Sequence, residues 1–113
     1  MTARIQDFLY ACQFGDANAI AMLIKAGVDI HAQKNNGWNG FHFACEDGHS
    51  NAITMLIEAG VDINVQDNNG WNGLDLISYW IWDEDRLGDI STLINAGITL
   101  RSQDLHIDGV QYA

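Results

Sequence analysis

Four side chains of the types that bind zinc lie within eight positions near the middle of the chain. They are His42, Cys45, Asp47 and His49. A structural zinc site needs about four such ligands converging on one point. Cys45 is matched elsewhere only by the isolated Cys12, so we favour structural roles for these residues and predict no metal site.

A glycine-rich string, NNGWNG, occurs twice, at Asn35–Gly40 and at Asn68–Gly73. Backbone N–H groups in such loops can cradle a phosphate, but both copies lack the Gly-Lys-Ser/Thr that completes a P-loop. Asparagine and glycine tolerate positive φ, and Asn-Gly is a strong turn former. The string therefore predicts two turns and no phosphate site.

The neighbouring carboxylates Glu46 and Asp47 are the remaining candidates for acid–base chemistry. An active site would also need a nucleophile, a base and an oxyanion hole in one place, and the sequence offers no such set. We predict that the chain is not an enzyme and that it uses no cofactor.

The charge of the chain restricts its partners. Five Lys and Arg stand against fifteen Asp and Glu, which gives a net charge of −10. Nucleic-acid phosphates and anionic lipid headgroups would be repelled, while a basic protein surface would be attracted. We expect a protein partner, for which a basic surface would be suitable, and neither nucleic acid nor membrane.

The 113 residues suffice for one domain, and 48% of them are hydrophobic. No apolar run approaches the ~20 residues that cross a bilayer. The N-terminal MTARIQDFLY lacks the basic-then-apolar order of a signal peptide. We therefore expect a cytoplasmic protein.

A period of 33 residues governs the chain. Ala26–Gly40 and Ala59–Gly73 are identical at twelve of fifteen positions, and Cys12 and Cys45 are one period apart. Such self-similarity is the signature of stacked repeats, in which each unit buries its apolar face against the next.

Each unit is predicted to contain two short helices. Asn39 is suited to cap the first, which places Phe41, Ala44 and Cys45 on one face. Ser50 is expected to cap the second, which ends before Gly60.

Asp16–Ala26 and Asp89–Ala96 correspond to this second helix in the other units. Neighbouring helices in such a stack lie ~8–10 Å apart, whereas a disulfide needs Cα atoms within ~7 Å. Cys12 and Cys45 are therefore predicted to be buried free thiols in the seam between units.

The middle unit, Gly37–Asn64, resembles the ankyrin repeat. Gly37, His42, Ala44, Gly48 and His49 match Gly-x-Thr-Pro-Leu-His-x-Ala-x-x-x-Gly-His, and the Leu…Gly…Asp-Ile-Asn that follows matches the later part of the motif. The resemblance covers roughly residues 5–100 and accounts for both histidines. It implies an all-α solenoid of stacked helix-turn-helix units.

Departures from the motif are expected to affect the stability of the fold and the hydrogen bonds of the turns. Asn39-Gly40 stands where the family has Thr-Pro, and glycine there should lower stability by freeing the unfolded chain. The motif histidine is replaced by Leu9 in the first unit and by Asp75 in the third. We therefore expect one complete turn network of the family's type, around His42.

About three units with modified ends are predicted. An N-terminal cap repeat covers approximately residues 1–33, and a full repeat covers 34–66. A third repeat with four extra residues covers 67–103, and a tail covers 104–113. The extra residues fall between Leu74 and Asp89, where either the first helix is longer or its connection bulges.

Aromatic residues supply the candidate binding site. In the ankyrin family the turn tips and the exposed side of the first helices form a concave surface that holds partners. Trp38 and Trp71 would lie near those tips, where they either bind a partner or only join consecutive units. Tyr79, Trp80 and Trp82 do not follow the period, and they either cap the stack or bind a partner.

Polar residues complete the surface. Glu46 and Asp47 end the first helix of the middle unit, and six further residues lie near the tips: Gln33, Lys34, Asn35, Gln66, Asp67 and Asn68. Asn64 resembles positions that are hydroxylated on ankyrin repeats in animal cells, and is a candidate modification site.

The resemblance implies a scaffold or adaptor that binds a partner protein through turn tips and the concave helix face. An alternative is an acidic decoy or inhibitor, which would cap a basic or nucleic-acid-binding surface of its target. Self-association through the third unit is a further alternative.

Overall fold

The computed structural model of the chain describes residues 2–79 and 84–98, with 84–86 described by their backbone alone. Within these ranges there are six helices and no strand, as predicted. The helices are α1 (Ala3–Phe14), α2 (Ala17–Lys25), α3 (Gly40–Glu46), α4 (Ser50–Glu58), α5 (Gly73–Tyr79) and α6 (Glu84–Asn95).

The helices form two layers. The first helices of the units pack side by side, α1 on α3 and α3 on α5, and the second helices repeat this pattern with α2, α4 and α6. Each first helix also packs on the second helix of its own unit. The core between the layers follows the 33-residue period, since Phe8 and Phe41 are fully buried, as are Ile20 and Ile53.

Asn39 caps α3 as predicted, because its side-chain oxygen accepts from the His42 backbone N–H at 3.0 Å. The prediction for Ser50 is wrong. Ser50 is the first residue of α4, and its hydroxyl donates to Asp89 Oδ1 at 2.6 Å. The N-cap of α4 is His49, which makes no side-chain capping bond.

The extra length of the third unit lies partly in α6. This helix begins at Glu84, five residues before the predicted start at Asp89, and has 12 residues where α2 and α4 have 9. It nevertheless ends as the pattern predicts, before Gly97, whose φ of 91° equals that of Gly60. The left-handed conformation suits glycine at this position.

The units approach one another closely at the glycines that replace the family's proline. A Cβ on Gly40 would lie 2.7 Å from the Cys12 Sγ, and one on Gly73 would lie 2.7 Å from the Cys45 Sγ. A side chain at either position would overlap the preceding unit.

Cys12 and Cys45 are buried free thiols, as the period predicts. Burial raises the pKa of the Cys12 thiol to about 12, so it stays protonated at neutral pH. Both sulfur atoms serve as packing surfaces for the glycine of the following unit.

No helix in the described ranges is long and apolar enough to span a membrane.

Candidate functional site

A hydrogen-bond network ties the second unit to the third at the start of α3. The Asn39 backbone N–H donates to His42 Nδ1 at 3.2 Å, which completes a capping box. His42 Nε2 lies 3.0 Å from the Trp71 carbonyl, and donates to it in the neutral tautomer that leaves Nδ1 free to accept. One buried ring therefore caps its own helix and fixes the next turn.

The environment of His42 keeps its imidazole neutral. Desolvation by burial lowers the pKa of His42 below 6.5, and it outweighs the opposing effects of the Trp71 hydrogen bond and the Asp67 carboxylate. A neutral ring is also what the network requires, because Nδ1 accepts a hydrogen bond from the Asn39 N–H and therefore cannot carry a proton.

The third unit keeps the cap after losing the histidine. The Asn72 backbone N–H donates to Asp75 Oδ2 at 2.9 Å, and the Asp75 N–H donates to Asn72 Oδ1 at 3.0 Å. The expectation of a single histidine network therefore needs refinement. Asp75 reproduces the capping box within the unit, whereas the bond from His42 to the next turn depends on the second ring nitrogen.

The first NNGWNG string is joined directly to the second. The Trp38 indole N–H donates to Asp67 Oδ2 at 2.8 Å. Asn68 bonds back to the first turn, through its backbone N–H to the Asn36 carbonyl and through its side chain to the Asn35 carbonyl. Both copies form turns, as predicted, and the two turns are hydrogen-bonded to each other.

The Trp38 ring packs against two neighbouring rings. It stacks on His42 with ring centroids 5.9 Å apart, and it meets the Phe43 ring edge-on at 5.0 Å. Together with the bond to Asp67, these contacts give Trp38 a role in joining the units.

Trp71 occupies the same repeat position but a different environment. It is half-buried, and its ring lies 5.9 Å from the Tyr79 ring at a tilt of 45°. No acceptor among residues 2–79 and 87–98 takes the Trp71 indole N–H. The two tryptophans are therefore equivalent in sequence and different in surroundings.

A groove of about 390 Å³ opens between the first and second NNGWNG turns. Its lining combines three rings, two carboxylates and three further side chains: Trp38, Trp71, Tyr79, Glu46, Asp67, Asn36, Asn69 and Leu76. The groove therefore brings together five residues that the sequence analysis placed on the candidate surface: Trp38, Trp71, Glu46, Tyr79 and Asp67.

The other candidates lie elsewhere. Asp47 is outside the groove lining and is exposed, with its carboxylate 3.8 Å from His49 Nε2. Asn64 is exposed at a turn, where its backbone N–H donates to Asp62 Oδ1. Trp80 and Trp82 lie outside the described residues.

Sequence reasoning missed two exposed aromatic residues on α1. Tyr10 and Phe14 are 55% and 72% exposed, and their rings stack with centroids 6.5 Å apart. The signal was present in the period, since Tyr10 precedes Phe43 by 33 residues, and Phe43 lies beside the Trp38 ring. Buried Phe8 and Cys12 mark the opposite side of α1.

The histidines of the zinc hypothesis are engaged in joining units. His49 Nε2 lies 2.8 Å from the Gln13 carbonyl of the preceding unit, and both ring nitrogens of His42 are bonded. In the part of the chain that the structure describes, no three His, Cys, Asp or Glu side chains are grouped so as to hold a metal ion.

Stacked helix pairs joined by hydrogen-bonded turns define the chain as an α-solenoid repeat protein. Its sequence matches the family model for ankyrin repeats (three copies) over residues 8–104. The chain belongs to the ankyrin repeat family, whose members are generally protein–protein interaction modules and typically have no catalytic activity. A search of the curated proteins returns no match.

Proposed function

We propose that this chain is a non-catalytic interaction module that binds a partner protein through its turn tips and the exposed side of its first helices. The observation that carries the proposal is the groove of about 390 Å³, which has Trp71 and Tyr79 in its lining. Tyrosine and tryptophan are enriched among the residues that dominate binding energy. Tyr79 is 60% exposed and so is accessible to a partner.

The proposed surface extends along the first helices to the N-terminal unit. Tyr10 lies one period before Phe43 and two periods before Leu76, a groove residue. The packing of α1 on α3 and of α3 on α5 aligns these positions in one row. We use the name aromatic face for this row together with two rings of the groove. It consists of Tyr10, Phe43, Leu76, Trp71 and Tyr79.

Rigid display is the proposed mechanism. The turns are fixed by the bonds from Trp38 to Asp67 and from His42 to the Trp71 carbonyl. A partner would therefore meet side chains whose backbone is already ordered, which reduces the entropy lost on binding.

The net charge supports the proposed type of partner, and the cysteines support the proposed location in the cell. A net charge of −10 favours a partner with a basic surface over nucleic acid or an anionic membrane. Cys12 and Cys45 are free thiols, as is usual in a reducing cytosol, so we place the protein in the cytoplasm.

Capture of partners from the native cytosol, followed by affinity measurements on variants, tests the proposal. Tyr79→Ser and Tyr10→Ser should each weaken binding of a captured partner by roughly 5–30-fold, which corresponds to about 1–2 kcal/mol. Met22→Ser is the matched control, because Met22 is 72% exposed on α2, in the other layer. Equal effects of all three variants would contradict the proposed face.

The acidic decoy remains the alternative, favoured by the net charge of −10. A decoy held by charge alone would lose affinity steeply as salt rises, because screening weakens interactions between exposed charges. It would also be insensitive to Tyr79→Ser. An aromatic interface predicts the reverse on both counts.

A further inference from the structure

We propose that the groove between the first and second NNGWNG turns binds a cationic side chain, arginine or lysine, of the partner. The inference rests on the proposed function and specifies the chemistry of the same surface. Three observations support it. The groove has aromatic walls and a fixed carboxylate, and a lysine of the chain itself lies over a ring one unit earlier.

The walls of the groove are suited to a cation with an apolar stem. Trp71 and Tyr79 meet at a tilt of 45° with centroids 5.9 Å apart, so their rings form an angled pair. A cation over the face of Trp or Tyr is attracted by the ring's quadrupole. The methylenes of Lys or Arg would pack on the same rings and on Leu76, which also lines the groove.

Asp67 contributes a negative charge in a fixed position. Its Oδ2 accepts from the Trp38 indole, and its Oδ1 accepts from the backbone N–H groups of Asn69 and Trp71. All of these donors are neutral, and no Lys, Arg or His side chain among those described forms an ion pair with Asp67. Its charge is therefore oriented by hydrogen bonds and remains available to a cation.

The preceding unit shows the same pairing of a cation with a ring inside the protein. Lys34 Nζ lies 5.6 Å from the centroid of the Phe43 ring. Lys34 and Asp67 occupy equivalent positions of consecutive turns, since they are 33 residues apart. Asp67 reverses the sign of the charge at this position, so we assign the cation for the rings beside it to a partner.

Two pairs of tripeptides test the inference with the intact chain. Ac-Gly-Arg-Gly-NH2 is compared with its neutral citrulline analogue, and Ac-Gly-Lys-Gly-NH2 with its acetyl-lysine analogue. Titration of the 15N-labelled protein follows the indole N–H resonance of Trp71. Both cationic peptides should shift this resonance saturably and bind roughly tenfold more tightly than their neutral analogues, from the cation–π and charge contributions together.

Variants localise the effect. Tyr79→Leu removes a ring and Glu46→Gln removes a carboxylate of the lining, and each should weaken binding of the cationic peptides several-fold. Glu58→Gln is the matched control, because Glu58 is an exposed carboxylate at the end of α4. Equal binding of cationic and neutral peptides would overturn the inference, as would equal losses for Glu46→Gln and Glu58→Gln.

The outcome is separable from that of the proposed function. If a captured partner binds through the aromatic face but cationic peptides show no preference for the groove, the inference fails and the proposed function stands. If the peptides bind as expected but no partner's affinity depends on Tyr10 or Tyr79, the groove chemistry stands and the proposed function fails.

Discussion

The indole N–H of Trp38 donates to the carboxylate of Asp67, 29 residues later, at 2.8 Å. This bond joins the first NNGWNG turn to the second and closes one side of the candidate groove. It makes Trp38 a cohesive element between units. Trp71, at the equivalent position of the next turn, is half-buried in the groove lining and belongs to the proposed aromatic face.

The first prediction separates the two tryptophans by stability. Trp38→Phe removes the donor to Asp67 and should lower the free energy of unfolding by about 1.5–3 kcal/mol, the range for hydrogen bonds to charged groups. Trp71→Phe serves as the matched control, because its indole N–H bonds to no described residue, and it should cost less than about 1 kcal/mol. Urea unfolding measures both values, and equal losses would contradict the assigned roles.

The second prediction concerns the contact between Gly40 and Cys12. A Cβ at Gly40 would lie 2.7 Å from the Cys12 Sγ and 3.1 Å from the Phe8 ring, so Gly40→Ala should destabilise by about 1–3 kcal/mol through overpacking. In the Cys12→Ala background the nearest atom is gone, and the same change should cost roughly 1 kcal/mol less. A double-mutant cycle on unfolding free energies measures the difference.

Gly88 provides the control for that cycle. It lies within α6, and a Cβ there would meet nothing within 4 Å. Gly88→Ala should therefore stabilise the protein by roughly 0.5–1 kcal/mol, because alanine loses less entropy in a helix. If Gly40→Ala were neutral, or cost the same with and without the Cys12 sulfur, the steric explanation would be wrong.

The third prediction is a loss of stability on mild acidification. Burial lowers the pKa of folded His42 below 6.5, so the unfolded chain binds the proton more readily. The contribution of His42 is fully present above pH 6.5 and is lost as the pH falls from 6.5 towards the folded pKa. Unfolding free energies measured from pH 8 to pH 5.5 should show this decline.

His42→Gln tests the origin of the decline. Glutamine at this position can still complete a capping box but does not titrate, so the variant should fold and lose the decline. His31→Gln, at an exposed turn, should leave it intact. A decline that persists in His42→Gln would assign the effect to other groups.

The fourth prediction concerns the link between α4 and α6. Ser50→Ala removes a donor to the buried carboxylate of Asp89 and should cost about 1–3 kcal/mol. Ser91→Ala, on the exposed side of α6, should change stability by less than about 0.5 kcal/mol. Thermal unfolding of the two variants compares them, and similar melting temperatures would contradict a structural role for this bond.

The repeat period explains why so much of the fold could be predicted. A 33-residue self-match fixes which side chains recur in the core, such as Phe8 and Phe41, and Asn39 carries its own capping chemistry. Hydrogen bonds between units were harder to predict from the sequence. The bond from Ser50 to Asp89 joins residues 39 positions apart, outside the period, and propensity alone assigns Ser50 to a cap.

The site was predicted in part, for a related reason. Trp71 and Tyr79 were identified by residue type, and the structure shows that both line one groove. Tyr10 and Phe14 were not predicted, because the first unit has Ile5 at the repeat position that Trp38 and Trp71 occupy in the later units. The different surroundings of Trp38 and Trp71 depend on residues outside the repeated string, such as Asp67 and Tyr79.

Photo-crosslinking is the most direct test of whether a protein partner binds the aromatic face. A photoreactive benzoylphenylalanine is placed in turn at Tyr10, at Tyr79 and, as control, at Met22, which is exposed in the other helix layer. After irradiation in native cytosol, we expect a covalent adduct with the same partner from the Tyr10 and Tyr79 positions and none from the Met22 position. Adducts from Met22 alone, or equally from all three positions, would contradict it.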